Sequence, residues 1–459
     1  MTGPAASTLL SELAAALSED RVSADPELLS QKAHDRSYHS WEPPLAVVQP
    51  LSTQEVSEVM RICQAYGIPV VPRGSGTGLE GGANTSSGSI CLDLSGMKQI
   101  IHIAADDLYA TAEAGVMKSE LNAALAQYGL QFPAGPGVDA SVGGMAATSA
   151  SGTTAVRYGT LKENVVALTV VLADGSVIRT GSTTKKSSSG YDLTHLFVGS
   201  EGTLGVITEV TLALHPVPEA SVSGVWSLPS LESAVALVVA ALRSSLRLTR
   251  VELLDRLTVD ALRRYTGYSA PVTETLMVEF SGSGAEVQAQ YAQFAELAEQ
   301  YRAAEHLTAA DPEESRQLWQ ARHDVLPATL ALVPGATAMA TDVCVPISKL
   351  PECIAETKAD LDSVDLLAPI VGHVGDGNFH LAMLLPPGDE QALARAKEIN
   401  ARLVDRALAM GGTCTGEHGV GIGKIGPMST EHATALGAMR AVKSALDPAG
   451  LLNPGKVLG

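Results

Sequence analysis

No two of the five cysteines, Cys63, Cys91, Cys344, Cys353 and Cys414, form a C-x-x-C pair, and they are scattered along the chain. That is too sparse for a disulfide framework and indicates a reducing compartment. Basic residues are also few: 31 Lys and Arg against 50 Asp and Glu leave a net charge of -19, which disfavours nucleic acid as a partner. An anionic substrate must then be met by a local basic site rather than by long-range steering. There is no charge-free run of 18 residues to span a bilayer, so no transmembrane segment is expected. The N-terminus, MTGPAASTLLSELAAALSEDRV, has neither a basic n-region nor a long apolar core, and its Glu and Asp argue against a transit peptide. These absences lead to the expectation of a cytoplasmic protein, at most peripheral at the inner face of a membrane.

What the chain does have is glycine, 43 residues, concentrated in three tracts of its first half: Arg73 to Gly82, Pro133 to Gly159 and Gly199 to Gly205. The first, RGSGTGLEGG, contains a G-x-G-x-x-G match, and Asp93 stands where a dinucleotide fold would place its ribose carboxylate. Only ANTSSGS separates the last glycine from the next strand, SICLDL, which leaves no room for the helix that a Rossmann loop requires. The small residues instead allow successive backbone N–H groups to converge on an anion, and a plain surface loop fits the same stretch. Three such tracts together suggest backbone lying along a large phosphate-bearing ligand.

At 459 residues the chain has room for two or three domains. SELAAALSED and ADPELLSQKAHD read as helices, and STQEVSEVMRICQAYG reads as a capped helix with a glycine stop. NVVALTVVLADGSVIRTG reads as a hairpin turning at Asp174-Gly175. The tract from Pro133 to Gly159 is too glycine-rich for regular structure. From about Ser221 glycine thins, and helical patterns alternate with strands, which indicates a second domain of α+β class with an antiparallel sheet.

GHVGDGNFHLAM carries two histidines seven residues apart. A two-residue turn at Asp376-Gly377 pairs His373 with His380 on one face, where two imidazoles can share a divalent metal. Two packed histidines satisfy the same pattern. In TCTGEHGVGIGK, Glu417 can complete a His-His-Glu set and His418 can act as a base, while an ordinary polar turn remains the alternative. Cys414 is either a thiolate ligand or a plain buried cysteine. Arg322, in LWQARHDV, is either solvated or a bidentate clamp for a substrate carboxylate.

PVVPRGSGTGLEGG, PGVDASVGGMAATSASG, YGTLKENVVALTVVLADG, DLTHLFVGSEGTLGVIT and LDPAGLLNPGK resemble, in that order, the motifs of the FAD-linked oxidases of the vanillyl-alcohol oxidase type. The resemblance implies an FAD-binding domain of two α+β subdomains over 1–218, an α+β cap over 219–424, and a tail, 425–459, returning to the first domain. It implies that Arg73, Gly74, Ser75, Gly76, Thr77 and Gly78, preceded by Pro72, hold the FAD pyrophosphate. Pro136, Asp139, Ser141, Gly143, Gly144, Ser149 and Gly152 would line the same cleft, with Glu201, Gly202 and Ile207 near the adenine end or the ring and Asn453 contributing from the tail. Members with covalent flavin have a histidine in the first loop; Thr77 and Leu79 stand here, so the FAD is expected to be non-covalent.

The histidine turn, Glu417-His418, Arg322 and TDVCVPISKLP resemble the 2-hydroxy-acid dehydrogenase branch of that family. By position this implies His373, His380 and Glu417 as ligands of one zinc or manganese ion, His418 as the base and Arg322 as the carboxylate clamp. DVCVPISKLPE is most similar to the D-lactate dehydrogenases, which implies oxidation of D-lactate to pyruvate and delivery of electrons to a cytochrome, a quinone or an electron-transfer flavoprotein. The hydroxyglutarate enzymes add a lysine and an asparagine where Ala340 and Ala382 stand, so a diacid substrate is disfavoured. A glycolate-oxidising flavin subunit and a flavin- and metal-binding protein without turnover remain alternatives, and a homodimer is compatible with all three.

Overall fold

A computed structural model describes residues 4–459. The chain forms two compact units: one joins Met1–Ser151, Gly159–Val217 and Glu417–Gly459, the other Gly152–Tyr158 and Pro218–Gly416. The main segment of the second unit begins at Pro218. The return to the first unit comes at Glu417 rather than at 425, so the Glu417-His418 pair belongs to the first unit.

Among the described residues the first unit contains two main sheets and a small two-stranded one that pairs Leu130–Gln131 with His215–Pro216. The four-stranded one has the order Val22–Ser23, Ala46–Val48, Ile90–Asp93, Val70–Arg73. Its last three strands are parallel, so the polypeptide from 74 to 89 is a parallel crossover built without a helix. The helix Thr53–Tyr66 covers this sheet. Ser52 caps it by accepting the Glu55 N–H at 3.2 Å, a contact of about 1 kcal/mol, and Gly67 ends it in the left-handed conformation at φ 64°. Val56, Val59, Met60 and Cys63, at helical spacing, pack with Val48, Val70, Ile90 and Leu92 in one core.

The second sheet is antiparallel, in the order Ile100–Ala104, Tyr109–Glu113, Val206–Ala213, Val165–Val171, Val177–Gly181. The hairpin at Asp174-Gly175 forms as expected, with Gly175 at φ +79°. One expectation fails: Val142–Thr148, inside the tract expected to be too glycine-rich for structure, is a helix. Tertiary packing overrides propensity there, because Gly143 lies directly on Ala114 with no room for a Cβ, and Val142, Met145 and Ala146 are buried. The tail bonds back to the first sheet through Val70 N–H to Leu451 O and Asn453 N–H to Val70 O.

The second unit is an eight-stranded antiparallel sheet. Seven strands run in the order Ala304–Ala309, Ala220–Leu228, Glu274–Gly282, Leu248–Leu254, Ile370–His373, Asn378–Leu385, Thr337–Ala340, and Val343–Cys344 pairs with Asn378–Leu385. Val225, Leu254, Met277, Trp319 and Val371 are among its buried core. The central strand Leu248–Leu254 alternates, so Arg250 and Glu252 fall on the face opposite Val251 and Leu253.

Candidate functional site

In the first unit the site is built from the crossover after Arg73. Gly76 takes φ +69° with its Cα against the Arg73 guanidinium, and that guanidinium donates to the His34 carbonyl at 2.7 Å. Gly74 lies against Ser141, whose Oγ accepts the Ser75 N–H at 3.2 Å. Among the described residues, no protein acceptor takes the backbone N–H groups of Gly76, Thr77 and Gly78. Consecutive free amides in a partly buried loop form an anion-binding concavity.

The other residues expected here divide into two groups. Ser141 and Gly144 border that loop, and Ser149 ends the helix at φ 50°. The third glycine tract docks on the same helix through Gly199 N–H to Ala146 O and Glu201 N–H to Ala147 O. Gly202, at φ +71°, packs on Pro72. Asn453 donates through Nδ2 to the carbonyls of Gly82 (2.8 Å) and Glu201 (2.7 Å), which ties two glycine tracts to the tail. Asp139 is exposed and holds Ser119, Ile207 is core, Pro136 is half-buried, and Gly152 opens the short segment grouped with the second unit. Asp93, where a Rossmann carboxylate would stand, is buried and occupied by Lys32 (2.8 Å) and Gln49 (3.0 Å).

Glu201 holds backbone in place. Its buried carboxylate accepts the N–H groups of Val420 and Gly421 at 2.7 and 2.9 Å, fixing the loop that follows His418. Burial pushes this carboxyl up to about 7, even though those two N–H groups favour the ionised form. Beside it, Glu80 pairs with Lys424 at 3.3 Å and accepts Ile422 N–H on its carbonyl. Ser151 donates to Glu417 at 3.3 Å.

In the second unit His373 and His380 come together, though not in the register expected. The connection is the four residues Val374–Gly377, so His373 pairs with Asn378 and His380 with Val371. The two histidines are therefore diagonal neighbours on one face, with ring centroids 5.4 Å apart and planes at 80°. Each is 8% exposed. His373 Nδ1 donates to Glu252 Oε1 at 2.6 Å, and His380 Nδ1 donates to the Thr341 carbonyl at 2.9 Å. With Nδ1–H fixed on an oxygen, the neutral ring carries its lone pair on Nε2, as a metal ligand requires.

Sequence reasoning missed Glu252. It is fully buried at the centre of the sheet, and its second oxygen accepts Arg322 Nε at 2.7 Å. Burial alone would push this carboxyl up; its electrostatic and hydrogen-bond interactions with His373 and Arg322 outweigh burial and hold the carboxyl below its ordinary value. Left unpaired, such a group would cost several kcal/mol. Arg322 is thus clamped through Nε, with no protein acceptor on Nη1 or Nη2 among the described residues. The only signal available was a lone glutamate in an apolar strand, TRVELL. Asp342, in the TDVCVPISKLP stretch, is a second buried carboxylate that the sequence left without a role. It accepts Asn378 Nδ2 (2.7 Å), Thr415 Oγ1 (2.8 Å) and Gly416 N–H (2.9 Å), anchoring the chain one residue before Glu417.

Two family models cover the chain: "FAD binding domain" over residues 44–181 and "FAD linked oxidases, C-terminal domain" over 217–457. The chain belongs to the FAD-linked oxidases. Within that family it is 47% identical over 450 residues to the probable mitochondrial D-lactate dehydrogenase of Danio rerio, covering 96% of this chain and 89% of that one. It is 40% identical to the mitochondrial cytochrome-type D-lactate dehydrogenase of Arabidopsis thaliana (98% and 80% covered), and 34% identical to the D-2-hydroxyglutarate dehydrogenase of Xanthomonas citri pv. viticola (95% and 94%). The fold matches that of 4-ethylphenol oxidase from Gulosibacter chungangensis at a TM-score of 0.78, with 20% identity and coverage of 100% and 98%.

FAD fits the first unit, where the backbone amides of Gly76, Thr77 and Gly78 have no protein acceptor among the described residues and lie in a partly buried loop suited to an anion. A divalent ion fits the two oriented imidazoles of the second. The expectation of a cytoplasmic protein is corrected by its relatives, since those from Danio rerio and Arabidopsis thaliana are both named mitochondrial. No helix among the described residues is long and apolar enough to cross a membrane.

Proposed function

We propose that the chain oxidises D-lactate to pyruvate, with non-covalent FAD and one zinc or manganese ion held by His373, His380 and Glu417. FAD when bound supplies the acceptor for the hydride from C2, and the metal when held polarises the C2 hydroxyl. Arg322 is the observation that carries the reading. Glu252 fixes its Nε, so Nη1 and Nη2 are presented together as a fork that matches a single carboxylate. The overall negative charge makes such a local clamp necessary. His418 takes the hydroxyl proton as C2–H leaves as hydride, which balances the loss of two electrons and two protons from the alcohol. The acceptor that reoxidises the flavin is a cytochrome, as the name of the Arabidopsis relative suggests.

A small monocarboxylate is favoured over a diacid, because Ala340 and Ala382 face each other in adjacent strands and offer no charge to a second carboxylate. The test is anaerobic addition of D-lactate, L-lactate, glycolate and D-2-hydroxyglutarate to the purified holoenzyme. Bleaching near the flavin maximum by D-lactate, with far slower bleaching by the other three, is expected. A yellow protein that D-lactate fails to bleach rejects the reading.

A further inference from the structure

We propose that Glu252 is a positioning residue that serves the metal side and the substrate side of the site with one carboxylate. The inference rests on the function proposed above and extends it to a residue that is neither metal ligand, base nor clamp. Oε1 holds His373 Nδ1 at 2.6 Å and Oε2 holds Arg322 Nε at 2.7 Å. The carboxylate is fully buried on the central strand, so its position is set by the sheet rather than by a mobile loop. Its neighbours are rigid as well: His373 ends the adjacent strand, and Arg322 lies in the last turn of the helix Pro312–His323, whose Trp319 is buried one turn earlier.

Two consequences follow from the chemistry of a carboxylate with two committed oxygens. The first is that His373 is held as the Nδ1–H tautomer with Nε2 turned to the metal. The second is that Arg322 cannot rotate its fork without breaking a charge-assisted bond, so it meets the substrate carboxylate pre-oriented. A carboxamide cannot do both. If its oxygen faces His373, its NH2 meets the Arg322 Nε–H, donor against donor; if it is flipped, its NH2 forces His373 into the wrong tautomer.

The test is Glu252→Gln in the full-length holoenzyme, with Glu252→Asp beside it. The aspartate keeps the charge but is one carbon too short to reach both donors. Zinc affinity is read by competition with a chromogenic chelator, KM and kcat with D-lactate, and FAD content from the visible spectrum. FAD content is expected to stay as in the wild type. For each variant, zinc affinity should fall about tenfold or more, or KM should rise about tenfold or more with a smaller change in kcat. Zinc affinity and KM both within twofold of the wild type, in whichever variant folds, would overturn the proposal and leave Glu252 a structural ion pair. The zinc measurement needs no turnover, so it separates this inference from the substrate reading, which fails on its own if D-lactate does not bleach the wild-type flavin.

Discussion

The carboxylate of Glu201 accepts the backbone N–H of Val420 at 2.7 Å, binding the third glycine tract to the loop that follows His418. Burial raises this carboxyl to about 7 in the folded chain, against an ordinary glutamate value in the unfolded one. Between those two values the folded state binds the extra proton, so stability from this group is complete in acid and is lost as pH rises through about 7. The midpoint of thermal unfolding, compared between wild type and Glu201→Gln from pH 5 to 8, should show the wild type losing ground relative to the variant as pH increases. A pH-independent difference would contradict the raised value.

Ala340 and Ala382 face one another across adjacent strands, at the two positions where hydroxyglutarate enzymes are expected to supply a lysine and an asparagine. Introducing both, as Ala340→Lys with Ala382→Asn, should lower KM for D-2-hydroxyglutarate about tenfold or more. A charge-assisted hydrogen bond to the second carboxylate contributes about 1.5–3 kcal/mol, and the lysine has no like charge on the facing residue to oppose it. D-lactate should gain nothing. Equal improvement for both substrates would mean that the pair does not face the distal end of the substrate.

Much of this architecture was legible in the sequence because it depends on local signals. Ser52 and Gly67 mark their helix ends, Asp174-Gly175 its hairpin, and the shortness of ANTSSGS by itself excludes a Rossmann helix between the parallel strands. The histidine pair shows how a correct conclusion can survive a wrong register. The turn spans four residues and not two, yet a shift of two keeps both side chains on the same face. Glu252 was out of reach because its partners are 70 and 121 residues away, and nothing local distinguishes a buried carboxylate from a solvated one. The helix at Val142 was missed for the converse reason: its glycines are poor helix formers that tight packing on Ala114 selects.

Metal removal offers a direct check. Dialysis of the holoenzyme against a strong chelator should abolish D-lactate oxidation while the visible flavin spectrum persists, because the histidines and the glycine cradle belong to different units. Zinc or manganese should restore turnover. At a hundredfold excess over its dissociation constant the ion should stabilise the fold by about 2.7 kcal/mol, seen as a higher unfolding temperature. His380→Gln should remove both effects. Full activity after chelation, confirmed by metal analysis, would rule out a metal role.

The flavin cradle can be tested through two glycines that share a backbone conformation and differ in their surroundings. Gly76 and Gly88 have φ +69° and +86°, so alanine at either one costs about 1 kcal/mol through the left-handed conformation alone. At Gly88 nothing lies near the new methyl group. At Gly76 it would run into the Arg73 guanidinium, which is hydrogen-bonded to the His34 carbonyl, so the guanidinium or the loop that carries the free amides must shift. Gly76→Ala should therefore be purified with less than half the FAD of the wild type, as read from visible absorbance per protein, and added FAD should restore part of it. Gly88→Ala should keep full FAD with only a small loss of thermal stability. Full flavin occupancy in Gly76→Ala would place the pyrophosphate away from this loop, since the hold of its backbone N–H groups on an anion would be weakened by their displacement.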